Sequence, residues 1–308
     1  MTLDQLRYIV VTADTGNITE AAKRLFISQP SLSNAIHALE KEMNVTIFLR
    51  TSRGVIPTPE GETLLGYARQ VMAQIALMEE EYQGAGVTRR QFSVSTQHYS
   101  FSVKAFSQLL QEYPGPEYNF CIRETRTYEI LEDVAAMKSE VGVLYLNDFN
   151  EQVMMRELRD HGLSFHLLFE ASPHVFLSAA HPLAKKEVVS LEDLDPYPRL
   201  SYEQGDHNSF YFSEELASTR RCKKDIVVSD RATLFNLLIG LSGYTICSGI
   251  LNTDLNGDDI VARPLDVQDS MRIGYVVKDG VQPGRYARRY IELLSLYTKG
   301  NGDGREDR

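Results

Sequence analysis

The chain has 308 residues, enough for two or three separate cores. With 43% hydrophobic and 24% charged residues, it is neither a disordered nor a fibrous sequence. A net charge of -10 excludes attraction to nucleic acid over the whole surface. No run of about 18 apolar residues occurs, so neither a membrane span nor a membrane partner is expected. The opening MTLDQLRYIV lacks the basic-then-apolar order of a signal peptide. Cys121, Cys222 and Cys247, with no C-x-x-C, fit a reducing cytoplasm.

The charge is uneven. Residues 1–58 hold six Lys and Arg against five Asp and Glu, a net +1, while residues 91–308 carry -9. Contact with nucleic acid would therefore be local to the N-terminus. There, Leu3, Leu6, Val10 and Ala13 follow helical spacing after a Thr2/Gln5 capping box, and Gly16 ends the helix. Asn17 with Glu20 resembles a second capping box, and Ala21, Ala22 and Leu25 give the next helix its apolar face. After the short turn Phe26-Ile27, Ser28 is an N-cap and Pro30 sits in the first turn of a third helix. Leu32, Ile36 and Leu39 form its inner stripe. Gln29, Pro30, Ser31, Ser33, Asn34 and His37 are left as a short, polar outer face.

Two helices joined by a tight turn, the second with a free polar face, have the helix-turn-helix layout. Gln29 suits an adenine edge, Ser and Asn take donors or acceptors, and Pro30 suits a thymine methyl. The plainer reading is the wet face of a packed helix. The next stretch of chain tips the balance. Ile47-Phe48-Leu49 and Val55-Ile56 flank Thr51-Ser52-Arg53-Gly54 as a hairpin wing, with Arg50 at its base for a phosphate and Arg53 near its tip for the minor groove. Residues 3–65 resemble the N-terminal domain of LysR-type transcriptional regulators, in NITEAAKRLFISQPSLSNAIHALEKEMNVTIFLRTSRGVIPTPEGETLL. Two positions depart from the usual pattern. Asn17 replaces a frequent serine, and Asn44 replaces the usual glycine after the third helix; both asparagines still suit a cap. The resemblance implies a winged helix-turn-helix at 1–58 that binds double-stranded DNA at a pseudo-palindromic site as a homodimer or homotetramer, with RNA polymerase as a further partner.

Thr58-Pro59-Glu60 starts a long helix. Its apolar stripe runs through Leu64, Leu65, Ala68, Val71, Met72, Ile75, Met78 and Tyr82 to Gly84-Ala85-Gly86. Such a stripe packs on its own domain or on a second copy; the resemblance favours the second and implies a linker helix at 59–86 and a hinge at 87–90. From Gln91, strands FSVST, NFCIRET and VGVLYL alternate with helices, which implies a parallel sheet with helical cover. SFHLLFEA, PHVFLSA, PRLSY, DIVVS and YTICS form a second set, then RIGYVV and a helix over about 285–297. HPLA and SLEDLDPYP match typical stretches of the family's α/β two-lobed effector-binding domain, itself similar to periplasmic binding proteins. The resemblance implies that domain at 91–298, with lobe one 91–161 plus 268–296 and lobe two 162–267. Residues 299–308 read as a disordered tail.

Ligands bind at the C-terminal ends of strands in such sheets. That singles out Thr96, Gln97, His98, Tyr99, Ser100 and Thr125, facing Ser201, Tyr202 and the stretch Asp230–Thr233. The plain alternative for each is a cap or turn residue. His98 stands out, because an imidazole there can sense pH or pair with a carboxylate. A small anionic effector follows from this geometry. An enzyme is the rival reading, yet no G-x-S-x-G, Walker loop, H-E-x-x-H or dinucleotide fingerprint occurs, so neither a catalytic set nor a cofactor is expected. His161, His166, His174 and His181 are too loosely spaced for metal and read as structural. A redox-responsive regulator is the other rival, because Cys222 lies among Arg220, Arg221, Lys223 and Lys224. Against it, the loop 203–213 holds no second cysteine.

Overall fold

The computed structural model describes residues 1–52, 54–83, 90–114, 118–207, 209–251 and 258–296. Arg53, most of the expected hinge, the end of the expected linker helix at 84–86, the Tyr82 side chain and the expected disordered tail lie outside the described residues. The chain divides into two compact units.

The first unit follows its local signals closely. Helix α1 (Leu3–Thr15) opens on the full Thr2/Gln5 capping box and stops at Gly16 in the left-handed conformation. Helix α2 (Ile18–Arg24) is capped by Asn17, which accepts from the Thr19 and Glu20 N–H groups. Helix α3 (Gln29–Met43) begins with Ser28 accepting from Ser31 N–H and ends at Asn44 with φ 54°. Strands β1 (Phe48–Thr51) and β2 (Gly54–Pro57) form the expected antiparallel hairpin. Gly54 has φ 139° and lies so near Gly16 that an added Cβ would stand 2.1 Å from the Gly16 carbonyl oxygen, so only glycine fits. Helix α4 (Pro59–Gln83) starts where Thr58 Oγ1 accepts from Gly61 N–H at 2.8 Å. Leu6, Ile9, Ala21, Ala22, Leu32, Ile36, Leu39, Ile47, Phe48, Val55 and Leu65 make one buried core from all these elements.

The second unit holds two five-stranded sheets. Chain order through its first part is β3 (Arg90–Thr96), α5 (Ser100–Glu112), β4 (Tyr118–Glu124), α6 (Thr127–Ala135), β5 (Val141–Leu146), α7 (Glu151–Asp160), β6 (Leu163–Ala171) and β7 (His174–Ser178). It continues with β8 (Arg199–Tyr202), β9 (Asp225–Val228), α8 (Arg231–Leu241), β10 (Tyr244–Cys247), β11 (Ile260–Pro264), β12 (Met271–Lys278) and α9 (Arg285–Leu296). The sheet of lobe one runs β4-β3-β5-β12-β6, and that of lobe two runs β11-β7-β10-β8-β9.

Three expectations need correction. The sheets are mixed, not parallel: β3 pairs in parallel with β4 and β5, but β12 is antiparallel to β5 and β6, and β7 is antiparallel to β10 and β11. Strand alternation along the chain does not reveal direction when the chain changes lobe twice, between β6 and β7 and between β11 and β12. Strand β6 pairs with β12 along its whole length, so Leu163–Ala171 belongs to the sheet of lobe one and not, as expected from 162 onward, to lobe two. Elements α7, α8 and β11 are additional to the expected set. The α8 stretch RATLFNLLIGL is apolar on nearly every side, so periodicity alone does not mark it as a helix.

Candidate DNA interface and effector cleft

Leu32, Ile36 and Leu39 are buried, which turns Gln29, Pro30, Ser31, Asn34 and His37 to solvent and leaves Ser33 half-buried. These side chains hold one another. Ser28 Oγ lies 2.7 Å from Ser31 Oγ, and Gln29 Nε2 donates to Ser33 Oγ at 2.9 Å. Arg50 is exposed on β1. The structure also supplies a residue the sequence reading missed. Glu40 Oε1 accepts from the N–H groups of Ile47 (2.8 Å) and Phe48 (3.3 Å), while Oε2 lies 2.9 Å from His37 Nδ1. One carboxylate thereby joins the helix to the wing. The signal was present: Glu40 falls one turn after Ile36 on the inward stripe, where a carboxylate needs donors. A short polar face beside a cationic wing can read base edges and grip phosphate.

In the second unit, β3 delivers His98, Tyr99 and Ser100 to the start of α5, and β8 delivers Tyr202 opposite them. These four line a cavity of about 40 Å³. Its other walls include Phe176, Phe235, Ile250 and Met271, and the polar side chains of Glu214, Glu215 and Arg231. The His98 ring stacks on Tyr202 at 3.8 Å and 5°. His98 N–H donates to Glu214 Oε2 at 2.9 Å, and His98 Nδ1 lies 2.9–3.0 Å from both Glu214 oxygens. Both side chains are almost fully enclosed, at 4% and 5% exposure.

Burial works against a charged imidazole, but the Glu214 carboxylate, by charge and hydrogen bond, outweighs it and holds the His98 pKa above its ordinary value. Burial, with the Glu214 charge adding to it, pushes the Glu215 carboxyl up to about 8. Burial also raises Glu124, against the pull of Arg231, whose Nε lies 3.3 Å from Glu124 Oε1.

The other expected ligand residues do other work. Gln97 is a buried clamp: Nε2 donates to Thr127 Oγ1 at 2.6 Å, and Oε1 accepts from Tyr99 hydroxyl (2.9 Å) and Tyr145 N–H (3.1 Å). Thr96 Oγ1 donates to the Gln97 carbonyl, and Thr125 Oγ1 to Glu129. Ser201 pairs within the sheet opposite Val227. None of Thr96, Gln97, Thr125 and Ser201 lines the cavity. Asp230 caps α8 by accepting from Thr233 N–H at 2.8 Å, and Arg231 alone of Asp230–Thr233 faces the cavity.

Lobe two crosses to lobe one through residues 203–207 and 209–215. Glu203 accepts from Arg126 at 2.6 Å, Gln204 accepts from Thr127 N–H at 3.0 Å, and Ser213 carbonyl accepts from Tyr145 hydroxyl at 3.1 Å. His207 stacks on Tyr128 at 3.5 Å and Tyr211 on Phe149 at 4.7 Å. Glu214 on His98 completes this strap. Among its described residues, the regular elements are short 3-10 turns.

The four loose histidines are tied locally. His161 and His174 bond to the Glu157 and Ser172 carbonyls, His166 stacks on Tyr275, and buried His181 accepts from Leu183 N–H. Among the described residues no group of three or more His, Cys, Asp or Glu is placed to hold a metal ion. The three cysteines are free, and Cys222 Sγ donates to the Lys224 carbonyl at 3.3 Å.

A winged helix-turn-helix followed by a two-lobed α/β binding domain defines a regulator that reads DNA and answers to a small molecule. Residues 3–62 match the family described as "Bacterial regulatory helix-turn-helix protein, lysR family", and residues 90–296 match "LysR substrate binding domain". The chain belongs to the LysR family of DNA-binding transcriptional regulators with an effector-binding domain. It is 28% identical over 301 residues to the uncharacterized HTH-type transcriptional regulator YvbU of Bacillus subtilis, covering 95% of this chain and 97% of that one. Its fold is similar to that of a full-length OxyR variant, cysteine replaced by aspartate, from Pseudomonas aeruginosa, with TM-score 0.70, 22% identity, and 96% and 95% of the two chains covered. It is also similar to full-length CbnR in complex with its target DNA, at TM-score 0.56 and 19% identity over 96% and 99%. No helix of the described residues is long and apolar enough to cross a membrane.

Proposed function

We propose that α3 reads base edges through Gln29, Pro30, Ser31, Ser33, Asn34 and His37, while Arg50 and Arg53 of the wing contact the backbone and minor groove. The observation that carries this reading is the exposed polar face of α3, locked to the wing through Glu40. The protein acts as a homodimer or homotetramer on a pseudo-palindromic site, in the cytoplasm, with RNA polymerase as a further contact. Support for self-association comes from α4, where Val71 and Met78 are 40% and 57% exposed on one apolar stripe. The cleft between His98, Tyr99, Ser100 and Tyr202 holds a small anionic effector, whose binding shifts the population of lobe arrangements.

The test is fluorescence anisotropy with DNA from immediately upstream of the protein's own gene, titrated with salt. Wild type should bind this DNA at least about 1,000-fold more tightly than random DNA. Arg50→Ala should weaken binding on all sequences and flatten the salt slope by about one unit. Ser33→Ala should relax sequence preference and leave that slope unchanged. Equal binding to all DNA by wild type would sink the reading.

A further inference from the structure

The carboxylate of Glu214 occupies the place that an effector anion would need. It takes the His98 N–H at 2.9 Å and the His98 imidazole at 2.9–3.0 Å, with Gln204 Nε2 donating to Oε1 at 3.4 Å. His98 lies just before α5, so this oxygen pair also sits at the positive end of the helix dipole. An anion entering from solution has to use the same donors. Two carboxylates cannot share them, because Glu214 already takes both the His98 N–H and the imidazole, and a second carboxylate at hydrogen-bond distance would be repelled by it. Volume argues the same way. A water needs about 10–15 Å³ by this measure, so a cavity of about 40 Å³ admits water but no metabolite while Glu214 stays in place.

We propose that Glu214 is a resident ligand of the cleft, and that the effector is a carboxylate which takes its place on His98. This deepens the effector reading and rests on it. Glu214 belongs to the strap, so its departure removes one of the ties that hold the strap to lobe one. The loosened strap is then the chain's signal of occupancy: what still holds it is the Glu203–Arg126 ion pair, the Gln204 and Ser213 hydrogen bonds and two ring stacks.

The sequence contains no tryptophan, so Tyr211→Trp in the full chain places a single reporter on the strap, against Phe149. Acetate, benzoate, chloride and benzylamine are titrated at fixed ionic strength, with Glu214 intact and with Glu214→Gln, which keeps the side chain's shape but not its charge. Benzoate should change the indole emission saturably and bind about ten-fold more tightly once the resident charge is gone. In Glu214→Ala, where the cradle is emptied, acetate should raise Tm saturably by several degrees while chloride does not. Equal benzoate affinity in the intact and Glu214→Gln chains overturns the proposal, as does a preference for benzylamine over benzoate. If Glu214→Ala fails to fold, the Glu214→Gln comparison decides alone. The DNA affinity of the wild-type chain, measured alongside, tests the regulator assignment separately, so the two failures are distinguishable.

Discussion

The two binding regions are built in opposite ways. The proposed DNA interface is one helix face and a hairpin, its side chains exposed and its contacts mostly within a few residues of sequence. The cleft is assembled across the chain: His98 meets Glu214 at a separation of 116 residues, and both are enclosed. The first region can lose one side chain and keep its shape, so its variants report on recognition. In the second, buried polar groups are one another's partners, so its variants report on stability as well.

The largest test of this contrast is His98→Ala. It leaves the Glu214 carboxylate enclosed without its main partner, and should cost about 3–5 kcal/mol in denaturant unfolding. The double variant with Glu214→Gln should recover much of that loss. Leu39→Ala, behind the reading face, should cost about 2–5 kcal/mol and lower DNA affinity through unfolding rather than through lost contacts. Glu40→Ala strands the Ile47 and Phe48 N–H groups. It should cost about 1–3 kcal/mol and weaken DNA binding while α3 stays helical by circular dichroism.

The pH profile sharpens the comparison further. A His98 pKa raised in the folded state contributes stability that is fully present below the unfolded value of about 6.5. That contribution is lost as pH rises through the folded value. The groups facing it are Glu214 from the strap, Glu124 from β4 and Arg231 from α8. Glu215 acts in the same direction: raised to about 8 from 4.5, it makes folding less favourable as pH climbs between those values. Wild-type Tm should therefore fall from pH 5 to pH 9, by an amount that both His98→Gln and Glu215→Gln reduce. Ser33→Ala should leave that profile unchanged. A flat wild-type profile would mean the cleft charges are solvated and the contrast between the regions is overstated. The smallest effect is on the DNA side, where Arg50→Ala should change stability by less than about 0.5 kcal/mol.

The same contrast explains what was legible in the sequence. Thr2, Asn17, Ser28 and Asn44 announce helix ends through bonds to neighbours two to four residues away, and the structure places each cap there. Lobe membership of β6 and the direction of β12 depend on pairing partners about a hundred residues distant, which no local pattern encodes. His98 was visible as an imidazole suited to a carboxylate partner. Which carboxylate was not visible, because Glu214 and Glu215 lie in a stretch whose composition suggests only a loop. Thr96, Gln97 and Thr125 were drawn in by their position at strand ends, yet their side chains bond inside lobe one, to the Gln97 carbonyl, Thr127 and Glu129.

The division of labour within Glu40 has a consequence for how this DNA-binding scaffold diversifies. One oxygen fixes the wing through main-chain amides, whose identity no substitution alters; the other merely steadies the side chain at position 37. Residues on the outer face of α3 can therefore be exchanged without touching the bonds that hold the wing. Under the proposed reading of α3 and the wing, a lineage carrying this joint acquires new target sequences by single substitutions while keeping its grip on the duplex.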